Sequence, residues 1–384
     1  MYSERQNFVK PLLEKFLTIF QNRCEIEKLY LILHLIIKNE STMHPKRNTF
    51  LFIFSLLFLC FSVQAQNTAI IGFYNVENLY DTEKDPIADD SEFLPTGAYQ
   101  WTEERYLQKL KNLSIVISEM GKEQGGVVVL GVCEVENERV MNDLVAQELL
   151  KPLRYKVAHH DSPDRRGVDV AFIYQGDRFD FISQKAYELT IPDNPDFKTR
   201  DQLLLVGVLD KIDTLHLIAN HWPSKRGGEA RSNPLRMAAA KLTRTIVDSI
   251  LFINPNAKII IMGDFNDTPN AKSITVGLRA KGNIKDVSQN DIFNPMWKMY
   301  KEGIGSYAFR DNWELIDQIL VTYALLHPKP NTYKYSSAHV FSPNFLKTKT
   351  GSFQGYPFRT YAGGSYAGGY SDHFPVYIIL KRME

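Results

Sequence analysis

From Thr68 onward the chain is built of short apolar runs separated by polar, turn-forming stretches. TAIIGFYN (68–75) and VVVLGV (127–132) are apolar, of strand length and mostly β-branched or aromatic, and each predicts a buried strand. Between them a loop over 81–100, rich in Asp, Pro and Gly, leads into WTEERYLQKLKNLSIVISEMG. Thr102 is placed to cap a helix there, with Glu103 and Glu104 in its first turn. Leu110, Leu113, Ile117 and Met120 mark one face, and Gly121 stops it. YKVAHH (155–160) and VDVAFIY (168–174) predict a hairpin around SPDRRG, and LLLVGVLD (203–210) with LHLIANHW (215–222) predicts a second around KIDT. Asn233-Pro234 predicts the start of a helix that runs through Leu251, with Asn as cap and Pro in the first turn. KIIIMGDFN (258–266), LIDQILVT (315–322) and FPVYIILKR (374–382) read as further strands, and 330–371 as long surface loops. Hairpins mixed with strand–helix units predict an α/β protein with mixed sheets, in one domain over 66–384.

The N-terminal part follows a different pattern. From Met43 the chain reads MHPKRNTFLFIFSLLFLCFSVQAQ, with basic Lys46 and Arg47 ahead of an apolar stretch from Phe50 to Val63. The stretch is shorter than a membrane span and ends at Val63-Gln64-Ala65, the order of a secretory signal peptide over 43–65. A signal peptide works from the extreme N-terminus, so Met43 is the expected start of the natural product and 1–42 an upstream extension. The expectation is a protein that is secreted or periplasmic, without a stable membrane anchor, and monomeric.

Composition narrows the class. The 384 residues are 44% hydrophobic and 23% charged, ordinary for a packed globular chain. Lys and Arg number 45 against 44 Asp and Glu, so no polybasic field advertises nucleic acid or an anionic membrane, and a polyanionic substrate needs a local site. With Cys24 and Cys60 in the N-terminal part, only Cys133 remains beyond it; this excludes an internal disulfide and is read as a small buried hydrophobe.

Polar residues gather at the ends of the apolar strands. Asn75 ends the first, Glu134 follows the second, Asn220-His221 end another, Asp264 and Asn266 sit in GDFN, Asp317 lies in a strand, and Asp372-His373 precede the last. Singly, such residues cap turns or sit half-buried. Their repetition at several strand ends is what metal-assisted acid–base chemistry requires: oxygen ligands for a hard divalent cation, and imidazoles that titrate near neutral pH. No Cys/His cluster has zinc spacing.

Strand-Asn75, Glu134 in VVVLGVCEVEN, IANHWPSKRGG, IIIMGDFND, LIDQILV and YSDHFPV resemble, in order, the motifs of the endonuclease/exonuclease/phosphatase superfamily, the DNase I-like fold. The look is nearest its secreted bacterial branch, in FYNVENLYD and NHWPSKRGG. The resemblance implies a four-layer α/β/β/α sandwich of two mixed β-sheets, with phosphoester hydrolysis by in-line attack of water at one open end. It implies Glu134 as principal metal ligand with Asn75 and Asp372 beside it, and Mg²⁺ as the ion, with Mn²⁺ or Ca²⁺ as substitutes. Asp264 and Asn266 would hold the nucleophilic water, the phosphate or a second metal. His373, oriented by Asp317, would be base or hydrogen-bond donor, and His221 would contact the phosphate and protonate the leaving oxygen. Asp161 is the expected partner of His221. Glu136, two residues from Glu134 and on the same face of an extended chain, is a competing ligand.

Arg200 opens a strand where the family often places a phosphate-contacting Arg, and Arg165 and Arg166 are further substrate-binding candidates. Lys225, Arg226 and Arg231 also sit in loops that reach the same mouth, whereas Trp222 is expected to cover a hairpin edge. The loop cations make an endonuclease acting on DNA or RNA the expected activity; the near-neutral charge supports the alternative, a phosphatase or phosphodiesterase on a small phosphate ester, an inositol phosphate or a phospholipid head group. The contrasting reading is an inactive binding protein on the same fold, which the intact set of acidic residues and histidines opposes.

Overall fold

A computed structural model describes residues 68–383. The signal segment 43–65, the stretch 1–42, Cys24 and Cys60 lie outside the described residues. The apolar runs become strands as expected, β1 (Thr68–Leu79), β2 (Val127–Val135), β3 (Tyr155–His159), β4 (Asp169–Gln175), β6 (Gln202–Leu209), β7 (Asp213–His221) and β8 (Lys258–Asp264), and the chain adds β5 (Phe179–Tyr187), which the hydropathy pattern does not mark. The C-terminal part adds the short β9 (Ala280–Lys281), β10 (Ile292–Phe293), β11 (Tyr307–Phe309) and β12 (Asn312–Glu314). It continues with β13 (Asp317–Thr322), β14 (Tyr333–Val340), β15 (Tyr361–Ala362), β16 (Ser365–Tyr366) and β17 (Val376–Arg382). The helices are α1 (Glu103–Glu119), α2 (Glu138–Val145), α3 (Glu229–Ile253), α4 (Met296–Lys301) and α5 (Tyr323–Leu326).

Six strands form one sheet in the order β14-β17-β1-β2-β4-β3, and seven form a second in the order β5-β6-β7-β8-β13-β10-β9. Both are mixed: β1–β2 and β7–β8 run parallel, while both expected hairpins, β3–β4 and β6–β7, are antiparallel. The central strands read as unbroken apolar runs because both of their faces are covered. Phe73, Phe172, Leu217, Ile260, Met262 and Ile319 meet between the sheets. Leu110, Leu113 and Ile117 of α1 pack with Ile70, Leu130 and Val132 on the outer face of the first sheet. Ala239, Ala240 and Val247 of α3 pack with Ile218, Ile259 and Ile261 on the outer face of the second. The result is the four-layer α/β/β/α sandwich.

Helix α1 starts and stops where the sequence indicates: Thr102 accepts from the Arg105 N–H at 3.4 Å, and Gly121 has φ +63°. Helix α3 departs from expectation, beginning at Glu229 with Pro234 inside it. The extra turn is clamped by Arg236, a fully buried side chain bonded to Glu229, Asn233 and Asp267. Residues 330–371 are not loops alone, because β14 lies along β17 as an edge strand and β15–β16 make a small hairpin. YKYSSAHV lacks a clean apolar alternation because the strand is only partly buried. Cys133 is buried and unpaired, and burial pushes its thiol well above the ordinary range. Among the described residues, no helix is long and apolar enough to cross a membrane.

Candidate active site

Strand register assembles the site. In the second sheet His221 of β7 pairs with Asp264 of β8, which pairs with Asp317 of β13, so three chemistry-bearing residues stand side by side. In the first sheet Asn75 of β1 is the register partner of Cys133, next to Glu134 on β2. His373 lies just ahead of β17, which flanks β1. Facing strand ends of the two sheets thereby converge on one cluster.

Glu134 occupies a β-bulge. The β2–β4 register shifts between Cys133 and Val135, and Glu134 takes φ +63°, a left-handed conformation that costs a non-glycine residue roughly 1–2 kcal/mol. The bulge separates Glu134 from Glu136, so the two do not share a face as an extended chain would dictate. Glu136 is buried and accepts from the Asp81 N–H at 2.6 Å, with its carboxyl pushed up to about 8 by burial. Glu134 faces the cluster: Oε2 accepts from the Asn78 N–H at 3.0 Å, and Oε1 accepts from Asn75 Nδ2 at 3.2 Å.

Asn75 Nδ2 also donates to Asp264 Oδ2 at 3.1 Å, so one amide bridges two carboxylates; its Oδ1 accepts from the Glu77 N–H at 2.9 Å. As placed, Asn75 offers the cluster its NH₂ group. Burial pushes the Asp264 carboxyl up to about 7, with Asp317 and Glu134 adding to the rise. The Asn266 N–H caps Asp264 Oδ1 at 2.9 Å, and its side chain donates to the Trp222 carbonyl at 3.0 Å.

His373 Nδ1 and Asp317 Oδ2 are 2.7 Å apart, and the same carboxylate oxygen accepts from Ser306 Oγ at 2.6 Å. His373 Nε2 lies 4.0 Å from Asp264 and 3.8 Å from Asp372, whose other oxygen is held by Arg359 at 2.7 Å. His221 Nε2 lies 3.7 Å from both Glu134 and Asp264. The two imidazoles are driven apart. Burial disfavours charge on His373, but Asp317, Asp372 and Asp264 outweigh it and hold the ring well above the usual histidine range. Burial, Arg200 and Arg166 hold His221 well below it.

His221 Nδ1 is buried with no hydrogen-bond partner. Asp161, its expected partner, is 87% exposed and lies 3.7 Å from His159 instead. The SPDRRG turn sends Asp161 outward, while Asp169 takes the other nitrogen of His159 at 3.0 Å. Arg200 is buried, donating to the Trp222 carbonyl at 2.9 Å and to Asp164 at 3.2 Å, with its Nε unpartnered. Arg166 is 45% exposed beside Asp164, and Arg165 is exposed and donates to the Asp196 carbonyl at 3.3 Å. Trp222 covers, as expected, packing edge-on against Phe265.

Three supporting residues, Ser371, Ser306 and Tyr307, lie outside the strand-end pattern. Ser371 Oγ donates to the Asn75 carbonyl at 2.7 Å and accepts from the His373 N–H at 3.1 Å, tying β1 to the histidine. Tyr307 lays its ring 4.9 Å from the His373 imidazole. Ser371 has a signal in YSDHFPV, a hydroxyl two residues before a site histidine; Ser306 and Tyr307 have none.

The donor set fits a hard divalent cation. Glu134, Asp264 and Asp372 gather around two imidazoles, and the crowding of buried carboxylates that raises Asp264 is what a cation would relieve.

The family model for the endonuclease/exonuclease/phosphatase family matches residues 70–382, and the chain belongs to that family. Its members are metal-dependent phosphoester hydrolases that use divalent metals, and this chain is an enzyme of that class. Among solved structures it is similar to an endonuclease/exonuclease/phosphatase family protein from Bacteroides thetaiotaomicron, at 17% identity over 82% of this chain and 97% of that one, TM-score 0.48. It is also similar to a mannosyl-6-phosphatase of Bacteroides thetaiotaomicron, at 16% identity over 81% of this chain and 99% of that one, TM-score 0.49. A third is the catalytic domain of human Nocturnin, at 15% identity over 83% of this chain and 94% of that one, TM-score 0.48. A search of curated proteins by sequence returns no match.

Proposed function

We propose that the chain hydrolyses a small phosphate ester by in-line attack of water, at the cluster formed by Glu134, Asp264, His221 and the Asp317–His373 pair. The observation that carries this is the register pairing of His221, Asp264 and Asp317, which faces Glu134 across the two sheets. Glu134, with Asp264 and Asp372, would hold Mg²⁺, which when bound neutralises charge on the phosphoryl group. Asp264, 3.7 Å from the His221 ring and 4.0 Å from the His373 ring, is placed to accept a hydrogen bond from the attacking water. His373, held charged by Asp317, donates to a phosphoryl oxygen as negative charge develops there. His221 enters neutral, an acceptor; of the two roles expected for His373 this favours the hydrogen-bond donor, and it opposes the acid role expected for His221.

A small substrate is favoured because the cations at the mouth are already engaged: Lys225 with Glu314 at 2.9 Å, Arg200 with Asp164 at 3.2 Å and Arg359 with Asp372 at 2.7 Å. The nuclease reading draws on exposed Arg165, Arg226 and Arg231. Export before folding is part of the same proposal, supported by the basic, apolar and small-residue order over 43–65.

The test uses purified residues 66–384 with a phosphomonoester, a phosphodiester and plasmid DNA, with Mg²⁺, Mn²⁺ or EDTA present. Turnover that needs the metal, and that falls on the order of 10³-fold in Glu134→Gln, is the expected result. Full activity in EDTA, or in Glu134→Gln, overturns the assignment.

A further inference from the structure

Beside Glu134 the molecule holds a cavity of about 220 Å³, lined by Glu77, Asn78, Phe93, Tyr99, Arg359 and Tyr361. None of the cluster residues lines it, yet two of its walls touch the cluster. The Asn78 N–H is bonded to Glu134, and Arg359 holds Asp372. A volume of about 220 Å³ is enough for one substituted ring.

Two kinds of surface line it. Phe93, Tyr99 and Tyr361 pack on one another, with ring centroids 4.8 Å and 4.7 Å apart at tilts of 32° and 56°. The Tyr361 hydroxyl donates to the Tyr99 carbonyl at 2.8 Å, which fixes the arrangement. Tilted rings leave no parallel-walled slot for a flat base, but they present apolar faces and edges to the C–H groups of a puckered ring. The other surface is polar. Glu77 is buried, accepts from the Thr360 N–H at 2.6 Å and stands 3.5 Å from the half-exposed Arg359 guanidinium. The half-buried Asn78 side-chain amide makes no hydrogen bond among the described residues.

Glu77 and Asn78 both take left-handed backbone, with φ of +51° and +53°. Two successive non-glycine residues in that region are costly, and such strain is retained where the conformation has a use. The turn at the rim is Gly363-Gly364, where no atom lies within 4 Å of an added Cβ, so the mouth stays open.

We propose that this cavity binds the alcohol moiety of the phosphoester, and that this moiety is a single hydroxylated, saturated ring of the sugar or cyclitol class. The proposal rests on the reading of the adjacent cluster as a phosphoester hydrolase. The aromatic side packs the ring, and Asn78, Arg359 and Glu77 hydrogen-bond its hydroxyls. In the reaction the oxygen of water bonds to phosphorus and the ester P–O bond breaks. The departing ester oxygen takes up the proton that the attacking water gives up, leaving the free ring alcohol and inorganic phosphate.

The experiment measures kcat/KM with Mg²⁺ for an aldohexose 6-phosphate, inositol 1-phosphate, the ringless glycerol 3-phosphate, a 5′-deoxynucleotide and plasmid DNA. One of the two hydroxylated-ring esters should exceed glycerol phosphate and the nucleotide at least tenfold; which one it is separates sugar from cyclitol. Asn78→Gly removes the amide while keeping the left-handed backbone free of strain. It should cut the ratio of ring ester to glycerol phosphate about tenfold, chiefly through KM. Turnover of any ester without a ring preference, or an unchanged ratio in Asn78→Gly, overturns the subsite and leaves the hydrolase standing. Absence of turnover on every substrate, with Mg²⁺ or Mn²⁺, removes both.

Discussion

The Asp317–His373 pair carries the strongest single-residue expectation. Asp317 is fully buried and spends one oxygen on both the imidazole and Ser306, so it fixes the ring's tautomer and direction as well as its charge. Asp317→Asn should lower kcat about 10²–10⁴-fold with the fold retained. The pH profile discriminates this role from a merely structural one. Asp317 raises the proton affinity of His373, and the charged ring is the active form proposed. Losing the carboxylate lowers that affinity, so the alkaline limb of the kcat profile should move to lower pH in the variant. An unmoved limb in a folded, slowed variant would take the proton-donor role away from His373. At this scale much of the site was legible, because Asn75, Glu134, His221, Asp264, Asp317 and His373 all stand at strand ends that hydropathy locates. What was not legible depends on turn geometry. The bulge that isolates Glu134 from Glu136, and the SPDRRG turn that throws Asp161 into solvent, follow from local φ values that a run of letters does not display.

Strands β7 and β8 set how closely His221 and Asp264 approach, and Gly263 sets the strands. A Cβ at Gly263 would stand 2.5 Å from the Asn220 carbonyl oxygen and 2.7 Å from Asn220 Cβ. The nearest obstacle is backbone, so it cannot rotate away. Gly263→Ala should therefore cost about 1–3 kcal/mol in urea unfolding and reduce turnover together, since His221 and Asp264 flank the displaced pair. Gly131→Ala is the internal control. Its Cβ would meet Met262 Sδ at 2.6 Å, a thioether that can shift, so the loss should be smaller. Equal stabilities for the two variants would show that β7 and β8 tolerate separation and that Gly263 is not the spacer. Element prediction succeeded where both faces of a strand are buried and failed at edges. β5 exposes Phe181 and Ile182, β14 is half-covered throughout, and neither has the continuous apolar run that marks β1, β2 or β8. Pro234 misplaced the start of α3 because a buried Arg236 clamps an extra turn that helix propensity alone would not extend.

The whole molecule brings two sheet ends to one mouth and surrounds it with charge that is balanced locally. The formal net charge of the chain is only +1, and Lys225, Arg200 and Arg359 are each paired with a carboxylate. A nucleic-acid enzyme gains affinity by displacing counterions from several phosphates, which gives log K a slope near −0.9 for each phosphate neutralised. A cation already paired with a carboxylate must give up that partner to join such a contact, so this surface gains little from a polyanion. kcat/KM on a small phosphoester should therefore change less than about threefold between 50 and 200 mM salt, as expected when one charged group meets a local site. Plasmid cleavage, if present, should stay orders of magnitude below it at both concentrations. The opposite pattern, efficient plasmid nicking that collapses by 10³-fold or more over that range, would mean that Arg165, Arg226 and Arg231 form a polyanion track after all. The substrate would then be a nucleic acid, with the same Glu134–Asp264–His373 chemistry unchanged beneath it.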